Sequence, residues 1–233
     1  MKKIKLKVSF IVGCLLLSQS FSVSALPPKF NKMRSSTKIS SGFLFSELEP
    51  KLNVAARCGD IEQMKYLIEN GADINEHNPI GGWTPLHEAV FAGQIDAVKF
   101  LLDNRVNINE VEIKGRTSLN MAVSKGNIDI VRLLVENRAD INCKNKEGWS
   151  PLHIAAKEGL VNIVEYLLSC RAEVDVTNCH SQTPLQVATF YQKPDVIKVL
   201  LKYNANPKFV DRYGKVPSNY AGGNLEILDL LNK

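Results

Sequence analysis

The sequence predicts an all-α chain, a solenoid of about six helix-turn-helix units, and three observations predict it. Gly148-Trp149-Ser150-Pro151-Leu152-His153-Ile154-Ala155 has a near copy two 33-residue steps earlier, Gly82-Trp83-Thr84-Pro85-Leu86-His87-Glu88-Ala89. Looser copies run Gly115 to Ala122 and Ser181 to Ala188. Gly59, Gly93, Gly126 and Gly159 recur at nearly the same step. After each glycine comes an apolar stripe on one helical face, as in Ile95, Val98, Leu101, Leu102 and Ile128, Val131, Leu134, Val135. A length of 233 residues with 45% hydrophobic content allows one large or two small domains. The period decides, because a repeat buries its apolar face only against its neighbours.

Taken in order, Met1 to Ala25 has a lysine-rich start, an apolar run from Val8 to Leu17, and Val23-Ser24-Ala25 before Leu26. That is the pattern of a secretory signal peptide, and the run is too short to anchor in a bilayer. Cleavage after Ala25 is expected, so the mature chain has no membrane span. A lipoprotein-type site at Cys14 is the weaker rival, because Leu15, Leu16 and Leu17 continue the apolar run past it. Residues 26–46 are basic and serine-rich and read as a flexible linker. Phe43, Leu44, Phe45 and Leu48 are expected to cover the open end of the first repeat.

The repeat domain is placed at 47–233. Its first unit, about 51–81, lacks the signature but keeps Ala55, Ala56, Gly59 and Asn70-Gly71-Ala72-Asp73-Ile74-Asn75. Units follow at 82–114, 115–147, 148–180 and 181–213, with a shortened cap at 214–233. Thr84, Thr117, Ser150 and Thr183 stand where a helix N-cap must accept from a backbone N–H, and Pro85, Pro151 and Pro184 follow at the first helical position. Leu86, Leu119, Leu152 and Leu185 point into the core, and Ala89, Ala122, Ala155 and Ala188 let the neighbouring helix approach. In the fifth unit Gln192 replaces the turn glycine and Pro194 follows closely. The left-handed turn survives there only if Gln192 accepts strain. Stability is therefore expected to be highest in the second to fourth units and lowest in the fifth and the cap.

A 33-residue period carrying a T-P-L-H-x-A signature resembles the ankyrin repeat, a β-turn finger followed by two antiparallel helices. The resemblance covers nearly everything after Glu47. It implies short β-hairpin fingers and a protein-binding scaffold, and it implies that His87 and His153 are structural hydrogen-bonding residues.

Composition and motifs exclude much else. Lys2, Lys3, Lys5 and Lys7 supply four of the five net positive charges, so without Met1 to Ala25 the chain is near +1. No basic field argues for nucleic acid. No phosphate loop, nucleophile elbow, zinc-protease motif or paired-carboxylate signature occurs, so no enzyme, cofactor or metal is expected. Cys170, Cys179 and His180 fit no zinc spacing, and Cys58, Cys143, Cys170 and Cys179 form no evident disulfide framework.

The expected function is that of an exported protein-interaction module, by analogy a host-directed effector of a host-associated bacterium, and the expected state is a monomer. A periplasmic structural or protective factor is the alternative. Two positions before each turn should face outward into the concave side of the stack, which makes Phe91, Lys125, Lys157, Phe190 and Tyr191 the candidate partner-binding residues. Arg105, Arg138 and Arg171 form the second candidate set. They stand where Gly71 stands, at a place that commonly requires positive φ, and are either drift or a basic ladder.

Overall fold

A computed structural model of the chain describes residues 50–232. The signal peptide, the linker and the apolar cover assigned above lie outside the described residues. Five helix pairs follow one another: α1 (Lys51–Cys58) with α2 (Ile61–Glu69), α3 (Pro85–Phe91) with α4 (Ile95–Asp103), α5 (Ser118–Ser124) with α6 (Ile128–Glu136), α7 (Pro151–Glu158) with α8 (Val161–Ser169), and α9 (Pro184–Phe190) with α10 (Pro194–Lys202). A 3₁₀ turn at Pro217–Tyr220 and α11 (Leu225–Leu231) close the described chain.

The helices start where the hydroxyls stand. The side chains of Thr84, Thr117, Ser150 and Thr183 each accept from the backbone N–H three residues on, and the side chain there accepts in return from the capping residue's own N–H. Leu86, Leu119, Leu152 and Leu185 are buried beside Ala89, Ala122, Ala155 and Ala188. One continuous core runs through all the pairs, with Val98, Val131, Val164 and Ile197 supplied by the second helices. The first helices of successive pairs pack on one another more extensively than the second helices do. We call α1, α3, α5, α7 and α9 the inner helices.

Among the described residues the fingers contain no strand, which refines the expected β-hairpins. Each is a hairpin-shaped turn with too few backbone pairs for a ladder. Asn145 shows how one is held: its N–H donates to the Trp149 carbonyl at 3.0 Å, and its Oδ1 accepts from the N–H groups of Glu147 and Trp149. Asn78, Glu112, Asn178 and Asp211 accept in the same way one repeat apart. Successive fingers are then tied edge to edge, the N–H of Lys146 to the Lys114 carbonyl at 3.0 Å and that of Cys179 to the Glu147 carbonyl at 3.2 Å. Gly148 sits at such a contact. A Cβ there would lie 2.6 Å from the Cys179 nitrogen, so only glycine lets the next finger approach.

The turn of the fifth repeat keeps its left-handed form. Gln192 takes φ +55° where Gly159 takes +80°. A non-glycine in that region costs about 1–2 kcal/mol. The Gln192 amide offsets this by donating to the Thr189 carbonyl at 3.0 Å and the Ala221 carbonyl at 3.2 Å, while its Oε1 accepts from Asn224 at 3.0 Å. The substitution thus ties the fifth repeat to the cap.

Candidate functional site

The last turns of the inner helices carry the exposed rings. Burying Leu86 and Ala89 turns Phe91 outward, and burying Leu185 and Ala188 does the same for Phe190 and Tyr191. Phe91 remains 41% exposed, Phe190 57% and Tyr191 40%. Phe91 meets Trp83 edge-on at 4.9 Å between centroids. The Lys125 ammonium, reaching back from the next repeat, lies 3.7 Å from the centre of the Phe91 ring. One group therefore forms from Trp83, Phe91 and Lys125.

A second group forms two repeats along. The Lys157 ammonium stands 6.0 Å from the Trp149 ring and 5.7 Å from the Tyr191 ring, and pairs with Glu158 at 3.5 Å. Phe190 meets Tyr191 edge-on at 5.1 Å and Tyr220 of the cap at 6.0 Å. Lys215 lies 5.3 Å over the Tyr220 ring. The structure thus brings Phe91 to Lys125, and Lys157 to Tyr191, against which Phe190 rests edge-on. Tyr220 and Lys215 were missed by the sequence reading, because the cap has lost the repeat signature; an aromatic beside a closing glycine pair was the available signal.

Arg105, Arg138 and Arg171 lie elsewhere. They are exposed, adopt φ of +60°, +69° and +68°, and follow the second helices rather than the first. No hydrogen bond, ion pair or ring contact among the described residues joins them to the aromatic row. Asn204, with φ +64°, continues the series without a charge. The shared property of these positions is the backbone conformation, which Gly71 meets at +88°.

The two signature histidines are buried. Nδ1 of His87 accepts from the Thr84 N–H at 3.2 Å, so Nε2 carries the proton and donates to the Arg116 carbonyl of the next finger at 3.2 Å. His153 does the same with Ser150 and the Gln182 carbonyl, at 3.2 and 2.9 Å. Burial pushes both rings down from the usual 6.5 to about 4, which keeps them neutral. Gln186 makes the corresponding bridge, its Nε2 donating to the Lys215 carbonyl at 2.9 Å. Asparagine is too short for both tasks. Asn120 Oδ1 accepts from the Thr117 N–H, and its buried Nδ2 has no partner. Asn53 reaches the Trp83 carbonyl with Nδ2 at 2.7 Å and leaves Oδ1 unpartnered.

Among the described residues no cluster of three or more histidine, cysteine, aspartate or glutamate side chains could hold a metal ion. Cys58, Cys143, Cys170 and Cys179 are free thiols, and burial pushes the Cys143 thiol up. No helix among the described residues is long and apolar enough to cross a membrane.

The family model described as ankyrin repeats (3 copies) matches residues 52–145, 108–178 and 137–211. These matches together span more than half of the chain. The chain belongs to the ankyrin-repeat family. It is also 44% identical over 43 residues to ankyrin repeat domain-containing protein 40 of Mus musculus, and equally to the Homo sapiens protein of that name. Those matches cover 18% of this chain and 12% of each relative. Ankyrin repeats mark a protein–protein interaction scaffold and imply a protein partner, and proteins of the family are typically not enzymes. In this ankyrin array, the exposed rings of the inner helices offer such a partner apolar area.

Proposed function

We propose that the chain is an exported ankyrin scaffold, monomeric, that holds a protein partner along the inner-helix face through Phe91, Lys125, Lys157, Phe190 and Tyr191. The observation that carries the reading is the exposure of Phe91, Phe190 and Tyr191 at equivalent helix ends, where stacking leaves them uncovered. Large rings at such positions are the usual anchors of interfaces. Export rests on Met1 to Ala25, and a host protein as target is an analogy from fold and export together. Fractionation of the producing cells tests export: release into the medium supports a host-directed effector, and retention in the periplasm supports a structural or protective factor. With a partner in hand, replacing Phe91, Phe190 and Tyr191 by alanine should weaken binding by about 3 kcal/mol in total with the fold retained. Unchanged affinity would move the site to Arg105, Arg138 and Arg171 or to the fingers.

A further inference from the structure

On the inner-helix face two ammonium groups already stand over rings, Lys125 at Phe91 and Lys157 at Trp149 and Tyr191. Lys125 sits over Phe91 at 3.7 Å, and no carboxylate among the described residues lies within ion-pair distance of it. Lys157 is shared between Trp149, Tyr191 and the half-exposed Glu158. Glu88, the other acid of the inner helices on this stretch, is buried and engaged by Arg57 and Asn78. A cation from a partner would meet an ammonium beside these rings. An anion would meet Lys125 directly, with the ring shielding one side of the pair from water and strengthening it. The ring edges and the far side of Phe190 remain open to apolar side chains.

We infer that this face recognises an acidic, extended peptide segment of its protein partner, with an acidic residue next to a large apolar one at each of two contact points. The inference rests on the scaffold reading above and adds the chemistry of the bound segment. One contact point is Phe91 with Lys125, the other Lys157 with Tyr191 and Phe190. Three repeat steps separate Phe91 from Phe190, roughly 30 Å at about 10 Å per step. An extended chain covers that in about nine residues.

The probe is a phage-displayed library of random twelve-residue peptides, selected against the full chain. The expected winners pair aspartate or glutamate with leucine, phenylalanine or tryptophan at two places. Synthetic winners should bind at least tenfold more weakly to Lys125→Ala and to Lys157→Ala, lose affinity with added salt, and be indifferent to Arg105→Ala. Lys125→Gln, which removes the charge but keeps part of the stem, serves if the alanine variant melts early. Neutral or basic winners that lose affinity on Phe91→Ala or Tyr191→Ala but not on Lys125→Ala would overturn the acidic inference and leave the scaffold reading standing. Winners indifferent to every inner-face substitution would overturn both, and a selection with no enrichment over bare resin would overturn the inference.

Discussion

The third and fourth repeats are neighbours built on one pattern, yet they join their successors differently. In the fourth, His153 closes the start of its own helix and reaches the next finger with the same ring, and Pro151 fills the first helical position. In the third, Asn120 closes its helix but reaches no further, and Ser118 stands in place of the proline with its buried hydroxyl unpartnered. A buried polar group without a partner costs about 1–3 kcal/mol. The contrast teaches that side-chain reach at one position sets the strength of each seam. Both unpartnered atoms of these two repeats belong to the third, whereas the fifth, expected to be weak, is bridged by Gln186 and Gln192.

The largest test breaks the better seam. Gly148→Ala places a Cβ against the backbone of Cys179 and Asn178 at positive φ, with an expected loss of about 3–4 kcal/mol in urea unfolding. Gly214→Ala, also at positive φ but facing open space, should cost about 1 kcal/mol. Equal losses would mean that finger contact contributes nothing.

Acidification comes next. His87 and His153 titrate near 4 when folded and near 6.5 when unfolded, so below 6.5 the unfolded chain binds more protons. Their contribution is complete above pH 6.5 and is lost as pH falls toward 4, by about 3 kcal/mol each at pH 4. Thermal melts of the parent and His153→Gln across this range check it: the variant should show about half the slope. The seams made by Asn120 and Gln186 have no such dependence, so acid should narrow the gap between the third and fourth repeats.

Much of the fold was legible because it follows from local rules. Thr84, Ser150 and Thr183 with their following prolines announce helix starts, and the positive φ of Arg105, Arg138 and Arg171 follows from their register with Gly71. The turn at Gln192 was less legible, since its compensation comes from Ala221 and Asn224, about thirty residues away. Asparagine and histidine at one signature position look alike in sequence; the difference between Asn120 and His153 is the reach of one ring. For the site, the outward direction of Phe91, Phe190 and Tyr191 could be read from the buried leucine and alanine beside them. Their pairing with Lys125 and Lys157 could not, because it joins adjacent repeats through side-chain rotamers.

Two smaller changes sharpen the comparison. Ser118→Pro should stabilise by about 1 kcal/mol, because it removes an orphaned hydroxyl and Thr117 before it is already extended; chemical unfolding reads this. Gln192→Gly relieves the strained turn but loses the bonds to Ala221 and Asn224, for a net change of about 0.5 kcal/mol or less. Faster proteolysis of the cap, with the midpoint of unfolding nearly unchanged, is the expected readout.

Native-state hydrogen exchange on the parent chain and Asn120→His, side by side, tests the role of reach most directly. A histidine there can cap its helix and donate to the Trp149 carbonyl. The amides of α5 and α7 should then exchange about tenfold more slowly, with those of α9 and α10 unchanged. Identical exchange in the two proteins, or slowing spread evenly along the array, would contradict the account.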